Sequence, residues 1–524
     1  MELSHHEELQ LFALLAAASA LLVLVPVLRV PYPILLVLGG LAMGLAPGLP
    51  EVELPPDLVL VVFLPPLLYG AAFYTSLREF RANVRQIGLL AVGLVIATTA
   101  GVALVAHEVV TALSWEEAFI LGAVVSPTDP IAATSIPARL GVSRRIVVVL
   151  EGESLVNDAT ALVLYRAAVV AAVGGAFSLW ETGLRIVVAA VVGVAIGLAV
   201  GFVVREIRAR IDHPQAEIGL SLLTGYLAYL PAEAIGASAV LAAVTAGIYV
   251  GWHAPVLTTP ALRLQGAAFW DVMTFVVNSV LFALVGLQLP RLVEALGDVP
   301  AGEVARAAVA VAVAVVLIRV VWVFAFMFGP YVRGWLGGRY PRAKWRTVAV
   351  VSWAGMRGAV SLAAALAIPL DVPQRDLLIF LAFVVILVTL VGQGLTLPAL
   401  IRVLDLPDDG SAAREDANAR VFAAEAAVAR LDELEQEEWV REDTAERMRG
   451  LYGFRRDRFS GRIDGTHVDV EERSQAYQRL RRELLRAEET AVIDLRTRGE
   501  IGDDVMHRVL RDIALEEQRL DSEA

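Results

Sequence analysis

Gly152-Glu153-Ser154-Leu155-Val156-Asn157-Asp158 leads into a mostly apolar run from Ala159 to Val173. Two carboxylates and an amide stand where a lipid-crossing helix would otherwise be apolar. A carboxylate at the centre of such a helix costs roughly 2.5–3.5 kcal/mol on insertion scales, and more on others. It persists there when it faces water, an ion or a partner. Ser154 and Asp158 are four residues apart and share one helix face, while Glu153 and Asn157 form an adjacent pair. The first stripe offers a hydroxyl and a carboxylate to a hard cation, which prefers oxygen ligands. The second offers a carboxylate to some other partner. Asp158 is therefore a candidate transport site.

The rest of the chain fits a membrane setting. It has 524 residues, 57% of them hydrophobic, and a mean hydropathy of +0.65. That composition belongs to polytopic membrane proteins. The absence of cysteine excludes disulfides, thiolate metal sites and thiol nucleophiles. The net charge of -12 is unevenly spread, with most charge after about residue 405. No basic domain is present to bind nucleic acid. Met1 to Gln10 lacks the basic region and cleavage site of a secretory signal, so the first apolar run is read as a retained helix.

A spanning helix needs about 20 largely apolar residues. By that rule about thirteen spans are expected, near 9–29, 31–50, 56–75, 86–107, 116–137, 149–173, 182–204, 215–231, 235–252, 267–289, 303–329, 345–369 and 375–403. Basic residues follow alternate spans: Arg78, Arg81 and Arg85; Arg139, Arg144 and Arg145; Arg205, Arg208 and Arg210; then Arg333 to Arg346. The positive-inside rule then puts the N-terminus outside and the C-terminus in the cytoplasm of a multi-pass cell-membrane protein. Three segments are expected: a transmembrane exchange domain over 1–404, a linker over 405–412, and a cytoplasmic, mostly helical domain over 413–524. In the last, Ala413–Leu451, Glu471–Leu495 and Asp503–Leu520 have helical spacing, and Tyr452–Gly465 reads as a loop or hinge. This tail is either a solvated extension or a dimerising or regulatory domain with a ligand or partner of its own.

The fifth span contains Ser126-Pro127-Thr128-Asp129-Pro130. Two prolines three apart remove backbone donors and interrupt the helix. Freed carbonyls and half-helix ends can then hold a cation, with Asp129 supplying charge and Thr128 a hydroxyl and a carbonyl. The twelfth span contains Gly355-Met356-Arg357-Gly358, read as a second interruption in which Arg357 offsets half-helix dipoles. Interrupted helices 5 and 12 fit two inverted six-helix repeats. Arg319, midway through the eleventh span, needs an anion, and Glu153 is its best partner. That structural pair leaves Asp158 and Asp129 for the ion. His5, His6 and His253 read as terminal or interfacial residues. No nucleotide-binding motif or nucleophile elbow is present, which argues against ATP-driven pumping, and no cofactor is called for.

These residues resemble the sodium/proton exchangers of the first cation:proton antiporter family, the bacterial NhaP-like and animal exchanger group. The resemblance covers about residues 10 to 403. It is carried by Leu64-Pro65-Pro66-Leu67-Leu68, Ser126 to Pro130, Gly152 to Ala159, Arg319, Gly355 to Gly358, and Gln393-Gly394. It implies thirteen spans in a lipid bilayer, a homodimer, and crossing helices 5 and 12. It also implies Asp158 as carrier of ion and proton, with Thr128, Asp129 and Ser154 beside it as ligands of a monovalent cation. Asn157 fills the position where electrogenic relatives have a second Asp, and the family pattern pairs Glu153 with Arg319. Several archaeal relatives carry Glu after the Leu-Pro-Pro element, where this chain has Tyr69-Gly70-Ala71. The expected function is electroneutral exchange of Na+ (or Li+ or K+) for H+ at Asp158, by a transporter and not an enzyme. The alternatives are a K+/H+ antiporter, a passive cation channel and an ion-sensing membrane protein.

Overall fold

The computed structural model describes residues 32–45, 56–129, 142–174, 179–211, 213–296, 300–328, 344–406, 410–464 and 468–523. Every regular element among them is helical, and the chain divides into two units, Met1–Pro407 and Asp408–Ala524. The expected first span, 9–29, lies outside the described residues.

The first unit contains α1 (Tyr32–Gly44), α2 (Pro56–Tyr74), α3 (Val84–Val109), α4 (Trp115–Val125), α5 (Arg144–Gly174), α6 (Leu179–Arg208), α7 (Pro214–Ala234), α8 (Ala239–Leu257), α9 (Pro260–Ala295), α10 (Ala301–Val323), α11 (Lys344–Trp353), α12 (Ala359–Leu366) and α13 (Arg375–Leu404). Among the described residues, seven helices are long and apolar enough to cross a membrane: α3, α5, α6, α8, α9, α10 and α13. Residues 116–137 and 345–369, expected as interrupted spans, hold short helices beside non-helical chain: α4 ends at Val125, and α11 and α12 flank residues 354–358. The sixth span starts earlier than expected, at Arg144.

These helices pack as two groups. One holds α1, α2, α6, α7, α8 and α9, and the other α3, α4, α5, α10, α11, α12 and α13. Lipid tails are as apolar as leucine, so helices in a bilayer associate through close packing rather than a hydrophobic drive. α1 and α9 approach closely: a Cβ on Gly286 would overlap the Val37 carbonyl, and one on Gly40 the Ala283 carbonyl.

The Leu-Pro-Pro element has a specific consequence. Pro66 lacks the N–H that would bond the Val62 carbonyl four residues back. The hydroxyl of Tyr226 on α7 donates to that carbonyl at 2.7 Å. The proline is thereby tolerated and α2 is tied to α7. On the other side, π-helical turns interrupt α3 at Leu89–Leu94 and α13 at Val388–Gln393. The indole of Trp322 on α10 donates to the Leu89 carbonyl at 3.0 Å.

The second unit holds α14 (Ser411–Leu434), α15 (Glu442–Asp464), α16 (Val468–Thr497) and α17 (Asp503–Glu523). Here one expectation is corrected. Tyr452–Gly465 is helical as far as Asp464, and the break falls at 435–441 instead. Glu442 and Asp443 in the first turn of α15 suit the positive end of the helix dipole. Burial of Ala445 and Phe459, with Arg420 of α14 over the Phe459 ring, outweighs Gly450 and Gly453, which cost about 1 kcal/mol each relative to alanine. α16 and α17 close on Leu485, Ile513 and Leu520.

Candidate functional site

Ser114 and Glu117 form a capping box that starts α4: the Ser114 N–H donates to Glu117 at 2.8 Å, and the Glu117 N–H to the Ser114 hydroxyl at 3.3 Å. α4 then runs inward and stops at Val125, ahead of Pro127. Residues 126–129 leave the helix and cross residues 354–358, which leave α11 at the glycine pair. The crossing is joined through the backbone, with the Asp129 N–H donating to the Met356 carbonyl at 2.8 Å.

Arg357 serves the freed backbone on both sides. Its Nε donates to the Val125 carbonyl at 3.0 Å, at the C-terminal end of α4, and a terminal nitrogen donates to the Gly355 carbonyl. Its own N–H donates to the Thr389 hydroxyl, at 3.1 Å, within the π-helical turn of α13. A cation here opposes the partial negative charge of helix C-termini. Thr389 was not anticipated, since a threonine in an apolar helix carries no signal of its own.

α5 supplies the facing residues. Glu153 and Arg319 are joined by a bidentate ion pair, one arm of which spans 3.0 Å, and both side chains are buried. The same guanidinium donates to the carbonyls of Val351 at 3.0 Å and Ala354 at 3.2 Å, at the end of α11. Thr128 Oγ1 donates to Glu153 at 3.2 Å and lies 3.5 Å from the Ser154 hydroxyl. The Asn157 amide donates to Thr128 Oγ1 at 2.9 Å and to its carbonyl at 3.4 Å. Glu153 and Asn157 therefore hold the extended chain in place, along the stripe that the sequence separated from Ser154 and Asp158.

Asp158 is 5% exposed and lines a cavity of about 490 Å³, shared with Thr128, Asp129, Ser154 and Gly358. The carboxylate of Asp129 lies against Gly358, where a Cβ would overlap it. Asn157, Glu153, Arg319, Arg357 and Gly355 are not on the cavity wall. The cavity runs between the two helix groups. Its other wall includes residues that the sequence reading passed over: Tyr32, Asp271, Thr274 and Asn278. The last three share one face of α9; the spacing shows the shared face but not that it meets the cavity.

Two ion pairs were also missed. Arg166 meets Glu233 of α7 at 2.6 Å, and Arg208 meets Glu217 at 3.3 Å with both side chains buried. Among the described residues, no cluster of three or more His, Cys, Asp or Glu is placed to hold a metal ion. The donors around Asp158 on the cavity wall include Asp129, Thr128 and Ser154, oxygen groups suited to a hard monovalent cation rather than to a transition metal.

Known proteins are similar to this one over most of the chain. A structure of the sodium proton antiporter MjNhaP1 from Methanocaldococcus jannaschii covers 76% of this chain and 99% of its own, with a TM-score of 0.59 at 18% identity, which shows the fold. The Na+/H+ antiporter ApNhaP of Aphanothece halophytica is 31% identical over 410 residues, 77% of this chain and 76% of its own. An uncharacterized Na+/H+ exchanger of Mycobacterium tuberculosis is 37% identical over 522 residues, 97% of this chain and 95% of its own. Residues 12–403 match the family described as "Sodium/hydrogen exchanger, transmembrane". With this match spread over the broken helices and their cavity, the chain belongs to the sodium/hydrogen exchanger family of multi-pass membrane proteins.

Proposed function

We propose that this protein is a secondary antiporter that exchanges Na+, and also Li+ or K+, for H+ at Asp158. One observation carries the reading: a buried carboxylate, beside the crossing of two broken helices, lies on the wall of a cavity between two packed helix groups. A group that binds a metal ion must give up its proton, so cation and proton compete for the same oxygens. That competition couples the two flows without ATP. Asp129, Thr128 and Ser154 complete the cation's surroundings, while Asn157 orders Thr128 beside them. Glu153 and Arg319 neutralise each other, and Arg357 balances the half-helix ends. With Asn157 in place of a second Asp, exchange is one for one and electroneutral.

Thirteen spans in two inverted repeats accommodate the helices described. The N-terminus then lies outside, the tail over 413–524 in the cytoplasm, and two copies form a dimer. Access alternates as one helix group moves against the other. The test is purified protein in liposomes with an imposed pH gradient and separate additions of Na+, Li+ and K+. Asp158→Asn is expected to abolish cation-driven proton movement while leaving the fold intact. Cation-driven exchange at the wild-type rate in that variant would overturn the reading, as would cation flux without any proton movement.

A further inference from the structure

Two polar lines with the same spacing face the cavity. On α5 they are Glu151, Ser154 and Asp158; on α9 they are Asp271, Thr274 and Asn278. Steps of three and then four residues keep each line on one helix face, with a rise of about 10 Å from first to last. Each line runs from an acid through a hydroxyl to a buried end. On both lines the acid is exposed and the last residue is buried: Glu151 and Asp271 are exposed, while Asp158 is 5% and Asn278 1% exposed. The two acids therefore mark one mouth of the cavity, and Asp158 and Asn278 its depth.

Asn278 lies on the cavity wall with its amide held from one side. Its Nδ2 donates to the Thr274 carbonyl at 2.7 Å, which fixes the amide and leaves Oδ1 as the open end. No hydrogen bond to that oxygen is formed among the described residues. An amide oxygen on a cavity wall is a suitable ligand atom for a hard cation.

We propose that α9 is the second wall of the cation path, with Asn278 Oδ1 as an oxygen for the cation held at Asp158 and Asp271 as a collector at the mouth. The proposal rests on the exchange reading above. It adds a selectivity-determining residue from the helix group opposite Asp158. Because α9 belongs to that other group, the cation would lose this oxygen when the groups shift. Binding would then be tighter in the arrangement seen here than in its alternate.

The test uses the full chain in liposomes, measuring apparent KM and Vmax for Na+ and Li+, with thermal unfolding in detergent alongside. Asn278→Ala is expected to raise the KM for Na+ roughly tenfold, the scale of one lost polar contact, with Vmax within about twofold. Asn278→Ser, which keeps an oxygen, should recover part of the affinity and also serves if the alanine variant does not fold. Asp271→Asn should raise KM severalfold at low ionic strength, an effect that fades as choline chloride screens the mouth. The Asn278 effect should persist in salt. An unchanged KM in all three variants, with Asp158→Asn inactive, would overturn the role of α9 and leave exchange at Asp158 standing. A fall in Vmax and unfolding temperature at constant KM would also overturn it, since that marks packing alone. Wild-type activity in Asp158→Asn would instead remove the reading beneath it.

Discussion

The backbone N–H of Asp129 donates to the carbonyl of Met356, and this bond ties two stretches of the chain that have each left their helix. In lipid, a free backbone group has no water to turn to, so broken helices persist only where they satisfy each other. Here the crossing does that, with Arg357 reaching back to Val125 and Thr389 receiving the Arg357 N–H. The position of Asp129 is thus set by the main chain. That makes the neighbouring glycine decisive.

Gly358→Ala is expected to lower exchange at least tenfold. A Cβ at this position overlaps the Asp129 carboxylate and would displace it from its place on the cavity wall. Overpacking of this kind costs about 1–3 kcal/mol. The unfolding temperature should therefore fall by only a few degrees while transport in liposomes is largely lost. Exchange at the wild-type rate would show that Asp129 can move aside without consequence.

Removing one member of the Glu153–Arg319 pair leaves an uncompensated charge where both side chains are buried. Such a loss costs about 3–5 kcal/mol, whereas replacing both partners is often far milder. Glu153→Gln and Arg319→Gln should each lower the unfolding temperature strongly, and the double variant should regain part of it. A double variant no more stable than the worse single one would show that the two charges do not compensate each other.

The elements that were legible in the sequence share a cause: each violates the chemistry of an apolar span. The prolines around Thr128, the glycines around Arg357, and the charges at Glu153, Asp158 and Arg319 are costly in lipid, and so they announce their roles. Even the Glu153–Arg319 partnership followed from charge alone. What could not be read was the second wall. Asp271, Thr274 and Asn278 lie on α9, far from the signature motifs, and only the packing of two helix groups brings them to the cavity. Thr389 and Met356 act through a hydroxyl and a backbone carbonyl, groups that carry no sequence signal. The tail failed for a different reason. Its glycines resembled a hinge, but packing of Phe459 and Ala445 overrides local propensity.

Thr128 is held from two sides, by the Asn157 amide and through its own donation to Glu153. Asn157→Asp replaces a donor with an acceptor that faces the Thr128 carbonyl. The variant should therefore lose exchange rather than gain a second transported charge. Thr128→Ser, which keeps the hydroxyl, should retain most activity, and Thr128→Val should lose it along with about 1–3 kcal/mol of stability. The measurements are exchange in liposomes, a voltage-sensitive dye for net charge movement, and thermal unfolding. A robust, voltage-generating Asn157→Asp would overturn the assignment of Asn157 as a brace.

Arg166 and Glu233 meet 2.6 Å apart across the boundary between the helix groups, since α5 and α7 belong to different ones. Arg166 lies eight residues beyond Asp158 along α5, about 12 Å further from the mouth marked by Glu151. The pair therefore fastens the end of the boundary that the cavity does not reach. If the groups shift to alternate access, this contact has to part. Both side chains are partly exposed, so the bond contributes at most about 1 kcal/mol. That is too little to alter the unfolding temperature by more than a degree or two. It is enough to shift a two-state equilibrium up to about fivefold. Glu233→Gln should thus raise the apparent KM for Na+ offered from the cavity side by up to that factor, and Arg166→Gln should do the same. The double variant should be no worse than either single one, because one contact is lost in all three. Comparing oppositely oriented vesicles gives the answer: equal KM values on the two faces, unchanged by either substitution, would reduce the pair to a surface contact with no part in access.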